Sequence, residues 1–297
     1  MIRKAMIGCT ALVLVFASCN SDDEANTPQN GNLELNLAGL EDLGADYQYE
    51  GWVVVDGTPV STGTFSVSAS GVLSKTSFEV AQETLDSATK FVLTLEPNPD
   101  NDPLPSDQKL VAGNFTADTA TISTATAPGV GDFSASSGTF FLRTPTDESD
   151  GTNNGNDENG VWFGTPGAPP TPNLNLPTLP DGWKYEGWIV TDQGPISTGT
   201  FVDPLAQMVD EGAPFSGPNS GPPIPGEDFF ENAPTGVSFP LDVRGRTVVI
   251  SVEPFPDNSP APFLLKPLVG VAGQETAPNT HDFGFNATSL PTGTVSK

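Results

Sequence analysis

The sequence predicts an all-β protein made of two tandem β-sandwich repeats, and three observations carry that reading. A motif occurs twice: residues 49–65 read YEGWVVVDGTPVSTGTF and residues 185–201 read YEGWIVTDQGPISTGTF, with twelve of seventeen positions identical at an offset of 136. A second echo follows each copy in the same order, FVLTLEPNPDNDPLP from Phe91 and VVISVEPFPDNSPAP from Val248. Motifs repeated in order at one period mark a duplicated domain. Finally, apolar residues come in short runs (WVVV, FVLTL, TVVISV) punctuated by 31 Gly and 30 Pro, as short strands between turns require.

The chain opens on a leader. Arg3 and Lys4 precede a mostly apolar stretch, residues 5–17. It is too short for a bilayer core, which takes about 20 residues, but it suits a secretory h-region. It ends Phe16-Ala17-Ser18-Cys19, which resembles the lipobox of bacterial lipoproteins, with Phe16 where Leu is usual. This predicts a signal peptide over 1–18 and lipid (palmitate included) on Cys19; the alternative is an ordinary signal peptide with a chance cysteine. Cys9 leaves with the leader, so the mature chain would hold neither disulfide nor free thiol. Ser21, Asp22, Asp23 and Glu24 then resemble the surface-export signal of Bacteroidota lipoproteins, within a polar tether over 19–31. The expected location is the outer membrane, at the cell surface or otherwise facing the periplasm.

The first repeat is assigned to 32–165. Leu33, Leu35 and Leu37 alternate with polar residues as in a half-buried strand. The hairpin follows: Trp52-Val53-Val54-Val55, a turn at Asp56-Gly57-Thr58-Pro59, and a returning strand to Phe65. A strand over 91–96 stops at Pro97, which cannot donate to a ladder. Residues 109–113 and 138–143 are further strands, residues 76–85 a short helix, and Val161-Trp162-Phe163 the last strand of this repeat. Residues 166–173 form a linker. The second repeat, 174–297, opens at Leu174-Asn175-Leu176 and repeats the hairpin with its turn at Asp192-Gln193-Gly194-Pro195. It carries a Pro/Gly-rich insertion over 203–236, read as a variable loop or a binding loop, with Phe229-Phe230 packing part of it back.

The net charge of −26 would repel a phosphate backbone, so nucleic acid is excluded as a partner. No P-loop or dinucleotide fingerprint occurs. The sole histidine, His281, has no partner for metal or nucleophile chemistry and is assigned to a loop. Residues 147–160 (DESDGTNNGNDENG) are rich in oxygen ligands but lack the ordered ladder of a calcium loop. They read as a flexible loop, with a weak calcium site as the alternative; no other cofactor or metal is expected. Glu50 and Glu186, and Glu96 and Glu253, occupy matching places. Each pair belongs to two repeats and is expected to lie apart, which argues against paired-carboxylate catalysis and for a structural role. Trp52 and Trp188 read as core, with a sugar-stacking platform as the alternative. Trp162 and Trp183 are candidates for an interdomain contact. Ser87 and Thr119 lie in D-[ST]-A triplets that match an O-glycosylation pattern.

The repeat resembles the extracytoplasmic C-terminal domain of the anti-sigma-K-factor family. The resemblance rests on Tyr49, Glu50, Gly51 and Trp52 with the Pro-Val turn and TGTF return, on Thr94 to Glu96 and Pro97, and on Leu110 to Gly113. The parts recur at Tyr185, Glu186, Gly187 and Trp188, at Ser251 to Glu253 and Pro254, and at Leu268 to Gly273. It implies a β-sandwich and an envelope-facing sensory or interaction module. The sigma-binding domain and transmembrane helix of that family have no counterpart in the sequence, so direct sigma-factor binding is not expected. The expectation is a non-enzymatic envelope lipoprotein that binds another envelope protein, with a glycan-binding surface lipoprotein as the alternative.

Overall fold

The structure, a computed structural model, describes residues 29–148, 150–205, 211–257 and 259–297. The leader, Cys19, Ser21, Asp22, Asp23 and Glu24 lie outside the described residues. The first part of the chain forms β1 (Asn30–Ala38), β2 (Tyr47–Val55), β3 (Thr58–Phe65), β4 (Ser77–Ala81), α1 (Gln82–Ser87), β5 (Lys90–Pro97), β6 (Lys109–Thr116) and β7 (Thr119–Ile122). Then come β8 (Ser137–Phe141), β9 (Gly160–Thr165), β10 (Thr171–Pro172), β11 (Leu174–Asn175), β12 (Trp183–Thr191) and β13 (Gly194–Phe201). The remainder is β14 (Glu211–Gly212), β15 (Gly226–Asp228), β16 (Thr247–Pro254), β17 (Leu268–Val271), β18 (His281–Phe285) and β19 (Thr292–Ser296).

These strands make two large antiparallel sheets, one curled nearly into a barrel and the other into a half-barrel, giving two β domains. Among the described residues the first sheet runs β3-β2-β5-β6-β7-β19-β1-β4. The second contains β13-β12-β16-β17-β18-β8-β9, with β14 beyond β13, β10 and β15 on β9, and β11 on β8. The two orders superimpose strand for strand, with β9 and β11 together taking the place of β1, and β15 that of β4.

The superposition contains an exchange. β19 ends the second repeat but lies inside the first sheet, between β7 and β1. β8 belongs to the first repeat but lies inside the second sheet, between β18 on one side and β9 and β11 on the other. The two strands are equivalent: Gly293-Thr294-Val295 faces Leu37, Asn36 and Leu35, while Gly138 faces Leu174 and Phe140 faces Phe163. Glycine is required in both, because a Cβ at Gly138 would press on the Asn173 carbonyl and Leu174, and one at Gly293 on the backbone of Asn36 and Leu37. The sequence assigns residues 138–143 and 161–163 to the first repeat; their pairing is with the second sheet. In register, Val161-Trp162-Phe163 matches Leu33-Glu34-Leu35, so it opens the second domain rather than closing the first.

Apolar alternation builds the core. Leu33, Leu35 and Leu37 of β1 are buried between exposed neighbours. Tyr49, Val53, Phe91, Leu93 and Leu95 face inward, as do Tyr185, Ile189, Val248, Ile250 and Val252. One contiguous apolar cluster runs through both domains. The helix read over 76–85 is instead β4 followed by the six-residue α1. His281 opens β18 rather than sitting in a loop; its Nε2 lies 2.9 Å from the Glu275 carbonyl, and its ring lies tilted against Phe140.

Candidate functional site

Each hairpin carries the same polar file on the face opposite the main core. In the first domain, Trp52 Nε1–H donates to Thr94 Oγ1 at 2.9 Å, and Thr94 Oγ1–H donates to Glu96. Glu96 also accepts the Ser106 N–H at 2.9 Å, ten residues on. In the second, Trp188 Nε1–H donates to Ser251 Oγ at 2.7 Å, Ser251 donates to Glu253, and both Glu253 oxygens accept the Phe263 N–H at 3.0 Å. A strand carboxylate thus pins the far end of the Pro-rich loop that follows it. Ser61 donates to Glu50, and Ser197 to Glu186, across each hairpin. A carboxylate accepting such bonds is satisfied where it is buried, which is the condition for keeping it there.

The sequence matches Glu50 with Glu186 and Glu96 with Glu253 as equivalent positions of two repeats and expects the members of each pair to lie apart. The structure instead couples carboxylates within each domain, Glu50 with Glu96 and Glu186 with Glu253. β2 and β5 are paired so that Glu50 faces Thr94, and β12 and β16 so that Glu186 faces Ser251. Burial raises the Glu50 carboxyl, lifts Glu186 to about 7 and lifts Glu253 to about 8, against the opposing bonds from Ser61, Ser197, Ser251 and Phe263.

The other motif residues are set by close packing. Trp52 and Trp188 are each 2% exposed, so neither offers a ring face to solvent. Trp52 packs with Val92 and Ala112 in a small cluster apart from the main core. Gly51 precedes a bulge in the β2–β3 register, and a Cβ there would stand 2.6 Å from Thr62 Oγ1. A Cβ at Gly187 would collide with Thr198 and Phe163. Tyr49 Oη–H donates to the Glu41 carbonyl at 3.0 Å and Tyr185 Oη–H to the Pro177 carbonyl, tying the entry loop of each domain; burial raises both phenols. Pro97 and Pro254 end β5 and β16. Ser87 and Thr119 are exposed.

Trp162 packs with Phe141 and Ile224, its Nε1–H donating to Asp228 Oδ1 at 2.9 Å. Trp183 lies against Phe263 at a ring separation of 5.9 Å. The insertion packs through β15, which pairs with β9, and through Phe215, Phe229 and Phe239. In the 147–160 loop most of these oxygens bond locally, Asp157 to the Thr144 N–H and Asn153, Asp147 Oδ2 to Asn156, and Glu148 to Arg143 at 3.1 Å, while Asp147 Oδ1 is buried with no hydrogen-bond partner among the described residues. Among the described residues no group of three or more His, Cys, Asp or Glu is placed to hold a metal.

A pocket of about 420 Å³ lies where the domains meet. Glu41, Asp42 and Leu43 supply it from the β1–β2 loop, Tyr47 from the start of β2, Leu95, Pro97, Ser106 and Gln108 from around β5 and β6, and Glu253, Pro254, Pro256, Asp257, Ser259 and Phe263 from the second domain. Gln108 Nε2 donates to the Phe255 carbonyl across the junction at 2.7 Å. Burial lifts the Glu41 carboxyl to about 7 despite Lys266, and lowers Lys266. Sequence reasoning missed Glu41, Gln108 and Lys266, because none lies in a repeated motif. It also missed Glu227 and Asp228 as buried carboxylates; burial lifts each to about 7.

Residues 25–109 match the family described as anti-sigma-K factor rskA, C-terminal. That segment takes in β1–β5 and the first residue of β6, and so includes the YEGW hairpin and the TLEP strand end. The chain thus carries one such domain, which in that family is extracytoplasmic. No curated protein and no solved structure matches the chain. Among the described residues no helix is long and apolar enough to cross a membrane.

Proposed function

We propose that this chain is a non-catalytic envelope lipoprotein whose two anti-sigma-factor-like domains act as one extracytoplasmic interaction or sensory module, without binding a sigma factor directly. The observation that carries the reading is the family match over 25–109 together with a second sheet of the same strand order. The exchange of β8 and β19 adds a mechanical reason. Two beads on a linker rotate independently by default, whereas domains that each hold a central strand of the other move as a unit. A rigid two-domain body suits presentation of a composite surface to a partner.

The carboxylates do not favour catalysis. Glu96 and Glu253 do the same loop-pinning work in both domains, although only Glu253 borders the junction pocket. Burial of Trp52 and Trp188 removes the platforms on which a glycan reading depended. In this proposal Cys19 anchors the chain through lipid, Ser21, Asp22, Asp23 and Glu24 direct it to the cell surface, and Ser87 and Thr119 are open to O-glycosylation.

Crosslinking in intact cells, followed by capture of the tagged chain and mass spectrometry, tests the module. One dominant membrane protein in near-equal amount is expected. Recovery of no specific protein from cells in which the chain is abundant would overturn it and send the purified chain to a polysaccharide array.

A further inference from the structure

The junction pocket exists only because two domains are locked together, and its chemistry is one-sided. Its bed is apolar, made by Leu43, Leu95, Pro97, Pro254, Pro256 and Phe263. Among its described lining residues four bear carboxyl groups, Glu41, Asp42, Glu253 and Asp257, and none bears a cation. Lys266 lies behind the wall, attracted by both Glu41 and Glu253, with its Nζ–H donating to the Phe263 carbonyl at 2.6 Å. It balances one of those two carboxylates. Asp257 has an interaction of its own and burial lifts Glu253 to about 8, which leaves Glu41 and Asp42 to outnumber the one lysine. The volume of about 420 Å³ falls in the range of small-molecule sites, roughly 300–1,000 Å³, where an apolar bed holds the ligand and a few polar groups orient it.

We infer that this pocket binds an organic cation carried on an apolar stem, an amine or guanidinium whose stem lies on Leu43, Leu95 and Phe263 while its charge meets Glu41 and Asp42. The inference goes beyond the interaction-module reading and does not depend on it: a free amine would make the module a ligand sensor, and a basic side chain would come from a peptide. Coulomb attraction in a partly enclosed site exceeds that in water. An arriving cation favours the ionised forms of Glu41 and Glu253, so binding releases protons wherever these carboxyls are protonated beforehand and strengthens as pH rises through their pKa values. The groups facing the site are Glu41, Asp42, Glu253, Asp257, Tyr47 and Lys266, with Glu186 acting on Glu253 from β12, Lys184 the register partner of Glu253, and Lys109 on the Ser106 carbonyl. Binding is therefore expected to tighten between pH 6 and pH 8.

The test titrates the full mature chain with 2-phenylethylamine and with acetyl-Phe-Arg-amide, by calorimetry and ligand-observed NMR. Their neutral counterparts, 2-phenylethanol and acetyl-Phe-Gln-amide, are run beside them. Saturable binding of either cation, at least tenfold tighter than its neutral counterpart, is expected; which cation wins identifies the source of the charge. Asp42→Asn, at an exposed position, and Glu41→Gln should each weaken it at least threefold with melting temperature held within a few degrees. Ser259→Trp, on the exposed rim, should abolish it by filling the mouth, whereas Glu79→Gln on β4 should change nothing. Equal binding of cation and neutral counterpart, no saturable binding by 10 mM (about −2.7 kcal/mol), or indifference to Asp42→Asn and Ser259→Trp would each overturn the assignment.

Discussion

The two domains solve one packing problem with their large and small residues interchanged. Above Gly51 in the first domain sits Phe91 of β5, while β1 contributes Leu35. Above Gly187 in the second sits Phe163 of β9, while β16 contributes Val248, the register partner of Ile189 as Phe91 is of Val53. One aromatic ring fills each cavity, but it arrives from a different strand. A duplicated core can drift in this way because total volume, more than identity at one site, decides whether it packs. The hairpin itself has not drifted, because a glycine and a bulge leave no room for a compensating change.

The exchanged strands offer the harshest way to break the comparison. β19 lies at the centre of the first sheet, with Val295 fully buried and Lys297 donating to the Leu85 and Ala88 carbonyls. Deleting residues 292–297 opens two new edges, on β1 and β7, at once. The first domain is expected to lose its native fold although every residue of the first repeat remains. Hydrogen exchange would show protection collapsing over β1 and β7 and persisting in β12 and β16. A synthetic peptide of residues 290–297 should restore part of it. Retained protection in β1 would show that the exchange carries no weight.

The domains also differ in their buried carboxyls, and pH should separate them. In the second domain burial lifts Glu186, Glu227 and Asp228 to about 7 and Glu253 to about 8, whereas in the first it lifts only Glu41, at the junction, as far as about 7. A carboxyl whose folded pKa lies above its unfolded value binds more protons when folded. Its stabilisation is complete below the unfolded value and is lost as pH rises through the folded one. One carboxyl lifted to about 7 loses about 2.5 kcal/mol between pH 5 and pH 8, or on the order of 5–10 °C at about 2–4 °C per kcal/mol, so with four such groups the melting temperature should fall by at least that much. Exchange should accelerate first in β15 and β16. Glu253→Gln should flatten the slope, and a melting temperature constant over this range would refute the account.

Much of this was legible in the residues and some was not. Strands, turns and the repeated hairpin follow from period-two alternation and from Gly and Pro placement, both local signals. The partner of a strand is not local: Ser137-Gly138-Thr139-Phe140 and Thr292-Gly293-Thr294-Val295 each specify an inward-facing strand equally fit for either sheet. The repeat even points the wrong way, since similarity suggests that each copy closes on itself. Phe163 misleads for a related reason. Its strand is interrupted by the 164–173 excursion before resuming at Leu174, so its kinship with β1 is hidden from any fixed offset. The junction pocket draws on single residues from unrepeated loops, and only folding gathers them.

The interchanged aromatic rings give a gentler test. Phe91→Val alone leaves a void over Gly51 and should cost about 2–3 kcal/mol. Adding Leu35→Phe reproduces the arrangement of the second domain and should recover at least half of that loss. A double variant no better than the single one, by denaturant melts, would mean that the cavities are not equivalent.

The smallest expected effect probes the polar files, where the domains agree most closely. Thr94→Val keeps the shape of the side chain but removes both the acceptor for Trp52 Nε1–H and the donor to Glu96. Ser251→Ala does the same for Trp188 and Glu253 and leaves a small gap as well. A buried N–H left without a partner costs about 1–3 kcal/mol. The first substitution should cost about 1 kcal/mol, because Glu96 still accepts the Ser106 N–H. The second should cost slightly more and raise the Glu253 carboxyl further, since one bond that favours its ionised form is gone. The pH profile separates this from simple packing loss: Ser251→Ala should shift the alkaline end of the stability slope upward, and Thr94→Val should leave that end where it was.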